Sequence, residues 1–170
     1  MVRHVLRRSG IDDRTVADYV AAILATFSET ARARNPLPEE EHPFDYLFDM
    51  LAALQTADDC SRFLIRAHVG NHSLFLSGIF PEHVRYRAQY RGAPEIEYYE
   101  TLGSTNFRVA SDHPLAHQYD LTPIFTVLSE RFHAIRLALN EMTDRFVFIG
   151  DRDISSENLL LHEGDASSTS

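Results

Sequence analysis

A chain of 170 residues with 44% apolar content is long enough to bury one sizeable core and short for two. Its formal net charge of −9 opposes non-specific nucleic-acid binding, which draws its affinity from phosphate neutralisation by basic side chains. All sixteen basic side chains are arginine, so Schiff-base lysines, lysine general bases and the lysine of the standard nucleotide-binding loop are excluded, and covalent pyridoxal phosphate chemistry with them.

In chain order, the basic N-terminus Met1–Gly10 has no apolar run of signal-peptide length behind it, so export is not expected. Asp12 or Asp13 can cap a helix to about Arg34, with Val16, Val20, Ile23, Phe27 and Ala31 at helical spacing. Asn35-Pro-Leu-Pro38 ends it. Pro43 suits the first turn of a second helix with a wide apolar stripe of Phe44, Leu47, Phe48, Leu51 and Leu54. Asp58 or Asp59 can cap a third helix that runs to Pro81, and Pro81-Glu-His83 can start a short fourth. After Gly92-Ala-Pro94, a helix from Glu95 to about Ser111 is expected to turn Tyr98, Leu102, Thr105 and Val109 one way. His113-Pro-Leu-Ala-His117 reads as a loop or single turn. Asp120 then caps what the pattern makes the longest helix, about 121–148, with Ile124, Leu128, Phe132, Ile135, Leu139, Met142 and Phe146 stepping by three and four.

No alternating strand pattern of useful length occurs, so the expected fold is all-α: one bundle domain over 1–150, of five or six helices around a central buried helix. Residues 151–170 read as a polar, flexible C-terminal tail. The presumed central helix carries two stripes. Leu64, His68, Asn71, His72, Phe75 and Ile79 share one arc, and Gly70, Ser73 and Ser77 lie on the other side with Arg66. Small residues let a neighbouring backbone approach closely, and Gly103-Ser104 is the expected contact. Arg66, Asn71 and the two histidines also argue against a membrane span.

Cys60 is the single cysteine, so no intramolecular disulfide or cysteine-based zinc cluster is available, and a reducing, cytoplasmic compartment fits. His68 with His72, and His113 with His117, have the i,i+4 spacing that aims two imidazoles at one ion on a helix. Val69 stands where the zinc-protease pattern needs glutamate, and Pro114 interrupts the second pair. Glu130-Arg-Phe-His133 and Glu39-Glu-Glu-His42 match the local string of di-iron carboxylate proteins. Glu130 and His133 nevertheless fall on the solvent side of their helix, and the other string precedes Pro43.

The remaining constellation is polar and buried: His68, Asn71 and His72, joined across an interface by Tyr98, Tyr99 and Asn106. It can be a satisfied hydrogen-bond network that sets helix register, a small-molecule pocket, or a metal or haem site, with His68 and His72 as the metal candidates. The run Arg85-Tyr-Arg-Ala-Gln-Tyr-Arg91 can stack bases and pair phosphates, or simply form a solvated helix face.

Gly70-Asn-His-Ser-Leu-Phe-Leu-Ser-Gly-Ile-Phe-Pro-Glu82 followed by Tyr98-Tyr-Glu-Thr-Leu-Gly103 resembles a pattern in small all-helical bacterial proteins of unknown function. That pattern has an acidic residue where Asn71 stands here. The resemblance implies an all-helical cytosolic bacterial protein and no activity. With no convincing catalytic set, the expectation is a non-enzymatic interaction or regulatory module that self-associates, with no strongly implied cofactor. The alternative is a ligand- or metal-binding protein using the buried His/Asn/Tyr cluster.

Overall fold

The computed structural model describes residues 1–33 and 43–145. Among the described residues the chain is all-helical, without strands. Its helices are α1 Val2–Arg8, α2 Arg14–Ala33, α3 Pro43–Ala53, α4 Asp59–Ile79, α5 Pro81–Arg91, α6 Ile96–Ser111, α7 Pro114–Gln118, α8 Thr122–Glu130 and α9 at 132–145. These nine exceed the expected five or six because the N-terminal decapeptide is itself helical, the His113–His117 stretch closes a turn, and the long final helix is broken. The boundary at residue 150, the 151–170 tail, the Glu39–His42 string and Phe146 lie outside the described residues.

The two longest helices start by one device. The Asp13 carboxylate accepts from the Thr15 and Val16 amides at 2.9 and 3.3 Å, and Asp58 accepts from the Ser61 amide at 2.8 Å. The Thr15 hydroxyl, at 2.6 Å, is the main influence holding the Asp13 carboxyl below its usual range. For Asp58 the Ser61 amide does the same. At the other end of α5, Gly92 closes the helix in the left-handed region with φ 65°, where a side chain would be strained.

α4 organises the rest. From Val69 to Gly78 every residue is buried except half-buried Asn71, whereas Leu64, in the N-terminal half, is 64% exposed and corrects its place on the expected core arc. One side of α4 meets α6 running antiparallel to it. The Phe107 ring lies where a Cβ on Gly70 would come within 2.8 Å, and a Cβ on Gly103 would come within 3.1 Å of Ser73 Cβ and overlap the Phe132 ring. The small-residue seam is thus real, with Phe132 of α9 closing over Gly103. Ser73 Oγ is buried in it with no hydrogen-bond partner among the described residues, while Ser77 Oγ donates to the Ser73 carbonyl at 2.6 Å.

On α6 the buried stripe is Ile96, Tyr99, Gly103, Asn106, Phe107 and Ala110. The expected stripe of Tyr98, Thr105 and Val109 faces outward, and only Leu102 of that set is partly covered. The error has a physical source: glycine and asparagine carry no apolar weight in a periodicity argument, yet here they mark the closest packing. On α3, Leu47 and Met50 are buried while Phe48 is exposed, so its apolar stripe is narrower than expected.

Asp120 does not cap the last helix. It sits at φ 55°, a conformation tolerated by Asp, and closes α7 while Leu121 occupies the N-cap of α8. The final helix breaks at Arg131, where α8 ends, although Arg131 still donates to the Val127 carbonyl and accepts from Ile135. Just before the break, Ser104 and Ser129 exchange hydroxyl-to-carbonyl bonds of 2.8 and 2.9 Å between α6 and α8. A side chain bonded into a helix carbonyl ladder is a recognised cause of a kink. The Arg131 guanidinium then reaches the Ser9 carbonyl at 3.1 Å and ties α1 to the bundle.

A polar network joins three helices where α4 ends. Buried Arg136 of α9 pairs through Nε with Glu100 of α6 and donates through a terminal nitrogen to Asn140 at 3.1 Å. The Asn140 amide in turn donates to the carbonyls of Ser77 and Gly78 at 3.0 and 2.7 Å. Those carbonyls lie in the last turn of α4, where no further helical amide is available. We predict that Arg136→Met costs about 2 kcal/mol, less than the ~3–5 of a fully buried pair because Glu100 keeps some solvent access. Urea denaturation measures it; a loss under about 0.5 kcal/mol, as for an ordinary surface change, would contradict the network's role.

Candidate functional site

The six residues expected to form one polar cluster divide between the two sides of α4. His68, Asn71 and His72 face α2 and α3, while Asn106 of α6 packs on the side of Arg66, Gly70 and Ser73, and buried Tyr99 shares the α6 stripe of Gly103 and Asn106. Helical geometry explains the split, since a stripe starting at Arg66 lies roughly 160° from one starting at His68. Tyr98 stands outside both groups, 40% exposed, with its ring edge-on to Tyr99 at 5.6 Å.

On the first side the histidines enter an aromatic nest. Phe27 lies 5.7 Å from the His68 ring and 5.1 Å from His72, Tyr46 lies 5.9 and 5.8 Å from the same two, and Phe27 stacks on Phe75 at 5.1 Å. Burial there lowers the His68 pKa, because the imidazolium loses solvation. Next to them the Tyr19 hydroxyl donates to Asn71 Oδ1 at 2.9 Å. Burial pushes the Tyr19 phenol up, and the Asn71 bond pulls weakly the other way.

The metal readings find little to build on. The His68 and His72 ring centroids are 6.3 Å apart, and no group of three or more His, Cys, Asp or Glu able to hold an ion occurs among the described residues. Glu130 and His133 are exposed as expected, and His133 donates to Glu100 at 2.8 Å. His113 and His117 also part company: His117 is exposed, whereas His113 caps α7.

On the second side, Asn106 is buried, donates to the Leu102 carbonyl at 2.8 Å and accepts from Arg66 at 3.3 Å. Burial pushes the Tyr99 phenol up, with the Arg87 charge opposing it and Tyr98 adding to it. Following this side toward the start of α4, the structure opens a cleft of about 180 Å³ between α4, α6 and the start of α7. It is lined by Asp59, Arg62, Phe63 and Arg66 of α4 and by Val109, Ala110 and His113. The sequence had offered His113 only as half of a broken metal pair. The signal available was the repeat of Asp59, Arg62, Phe63 and Arg66 on one helical face, which has no fixed meaning until α6 is laid against it.

A third feature is the outer face of α5. Pro81 and Val84 are buried, while Tyr86 and Tyr90 project outward at 51% and 64% exposure with ring centroids 5.0 Å apart. Arg85 pairs with Glu82 at 2.6 Å along the same helix. Across all described residues, no helix is long and apolar enough to cross a membrane.

The aromatic nest makes a pH-dependent contribution to stability with a definite sign. His68 has its folded pKa below the ordinary histidine value of 6.5, so the unfolded chain binds more protons in that range. Stability from this group is complete above about pH 6.5 and is lost as pH falls through the lower folded value. Denaturation curves of wild type and His68→Gln between pH 5 and 8 should therefore converge toward acid; parallel curves would contradict the burial argument. Comparison with known proteins adds no relative: no family model matches the chain, and neither a curated protein nor a solved structure matches it.

Proposed function

We propose that this is a non-enzymatic, cytoplasmic helical protein that acts as a homo-oligomeric interaction module, with the outer face of α5 as its contact surface. The supporting observation is the pair of exposed, mutually packed tyrosines, Tyr86 and Tyr90, on a helix that also carries Arg85, Arg87 and Arg91. Tyrosine and arginine are the residue types that concentrate at interface cores and hot spots. The occupant we favour is a second copy of this chain. α5 has three arginines against one glutamate in a chain of net charge −9, so each copy offers a basic helix to an otherwise acidic molecule.

The reading of His68, Asn71 and His72 as a ligand site has weaker support. Asn71 already accepts from Tyr19, and both imidazoles pack against the rings of Phe27 and Tyr46. The same surroundings serve packing. Arginine contact with nucleic acid from Arg85, Arg87 and Arg91 is disfavoured by the overall acidic charge.

Sedimentation velocity over a hundredfold concentration range tests the proposal. The expected result is a dimer or larger oligomer whose mass falls to that of one chain in the double variant Tyr86→Ser/Tyr90→Ser, with unchanged helical circular dichroism. A monomer at every concentration, or an oligomer indifferent to both tyrosines, would refute this surface.

A further inference from the structure

The cleft at the start of α4 lies at the opposite end of that helix from α5 and is independent of the association proposal. We propose that it binds a small organic carboxylate, held by Arg62 and Arg66, with its apolar part against Phe63 and Val109.

Charge carries the first step. Arg62 and Arg66 are one turn apart on α4, and both line the cleft. Among the described residues neither has a carboxylate partner: Arg62 Nε donates to the Leu54 carbonyl at 3.1 Å, and Arg66 donates to Asn106 at 3.3 Å. Both bonds go to neutral oxygens. The one carboxylate lining the cleft, Asp59, is engaged by His113 Nε2 at 2.8 Å.

The protonation of His113 follows from its bonds. The Leu115 amide donates to Nδ1 at 3.0 Å, so that nitrogen holds a lone pair and Nε2 carries the ring proton toward Asp59. Two arginines stand against one aspartate, and the cleft is locally positive in an acidic chain. The net charge of the whole chain opposes an incoming anion only weakly, because charges beyond about 8–10 Å are largely screened at physiological salt.

Shape and lining carry the second step. At about 180 Å³ the cleft is smaller than the ~300–1,000 Å³ of sites that enclose drug-sized ligands, which suits a small acid. Phe63 is buried, stacked on the His113 ring at 5.0 Å, and gives the cleft an apolar wall that Val109 and Ala110 extend. A guanidinium presents paired donors that match a planar carboxylate, which places the charged end of the ligand at the arginines and its apolar end on that wall. Asn106 is a positioning residue here, since its buried amide fixes Arg66.

Benzoate is the probe, titrated at constant ionic strength into ¹⁵N-labelled protein, with benzyl alcohol as its neutral counterpart. The expected result is saturable shifts of the Arg66, Val109, Ala110 and His113 amides with benzoate and none with benzyl alcohol. Affinity should fall at least tenfold in Arg62→Gln and in Arg66→Gln, and Arg66→Lys should restore part of it. Arg62→Gln guards against misfolding, because that side chain is exposed and, among the described residues, bonded only to the Leu54 carbonyl. Absence of saturable shifts, equal response to benzyl alcohol, shifts scattered over the surface, or unchanged affinity in both glutamine variants would each overturn the proposal. If inorganic phosphate displaces benzoate at comparable concentration, the selectivity for carboxylates is wrong.

Discussion

Two helices can run side by side at close range only where the side chains between them are small, and the seam between α4 and α6 meets that condition through Gly70, Ser73, Ser77 and Gly103. The large side chains are displaced to its edges, where the rings of Phe107 and Phe132 cover the glycines. With α6 fixed this near, α4 still has its opposite side to bury, and Phe27 of α2 and Tyr46 of α3 cover its two histidines there. The histidines are therefore in a different compartment from the polar groups of α6, whatever their spacing in the sequence suggests.

Polar groups then settle the ends of α4. At its C-terminus, Asn140 occupies the carbonyls of Ser77 and Gly78 and is itself held by Arg136 and, through it, Glu100. Burying an arginine is costly alone, so its pairing with Glu100 and Asn140 makes the position tolerable and specifies how α9 sits on α4 and α6. At its N-terminus, Asp58 caps the helix while Asp59 turns to His113 across the cleft. One end is closed by a polar network, and the other retains two arginines that have no carboxylate partner among the described residues. That asymmetry makes the N-terminal end the place where a ligand anion adds what the protein does not supply.

Local signals were legible in the sequence. Asp13 and Asp58 as caps, Pro43 and Pro81 in first turns, and the small-residue stripe facing Gly103 all follow from the chemistry of single residues. The outward face of α6 was misread because Tyr98 and Val109 look like core residues, whereas Gly103 and Asn106 do not. α1 was invisible because a seven-residue helix rich in arginine is held by the burial of Val5 and Leu6 in the core, not by its own propensity. The polar cluster failed as a single set for the same reason: periodicity says which residues share a face and is silent on which helix covers it. The cleft depends wholly on antiparallel pairing, which brings His113 to Asp59 across 54 positions of chain.

The most direct test of this account is a double-mutant cycle on the seam, combining Gly103→Ala with Phe132→Leu and reading unfolding free energies from urea titration. If the Phe132 ring lies over Gly103, the added methyl group overpacks the seam by about 1–3 kcal/mol despite the better helix propensity of alanine. Removing the ring should relieve most of that penalty, giving a coupling of at least about 1 kcal/mol. Strictly additive losses, or a Gly103→Ala protein stabilised by the ~1 kcal/mol that propensity alone predicts, would contradict the close approach on which the rest of the fold is built.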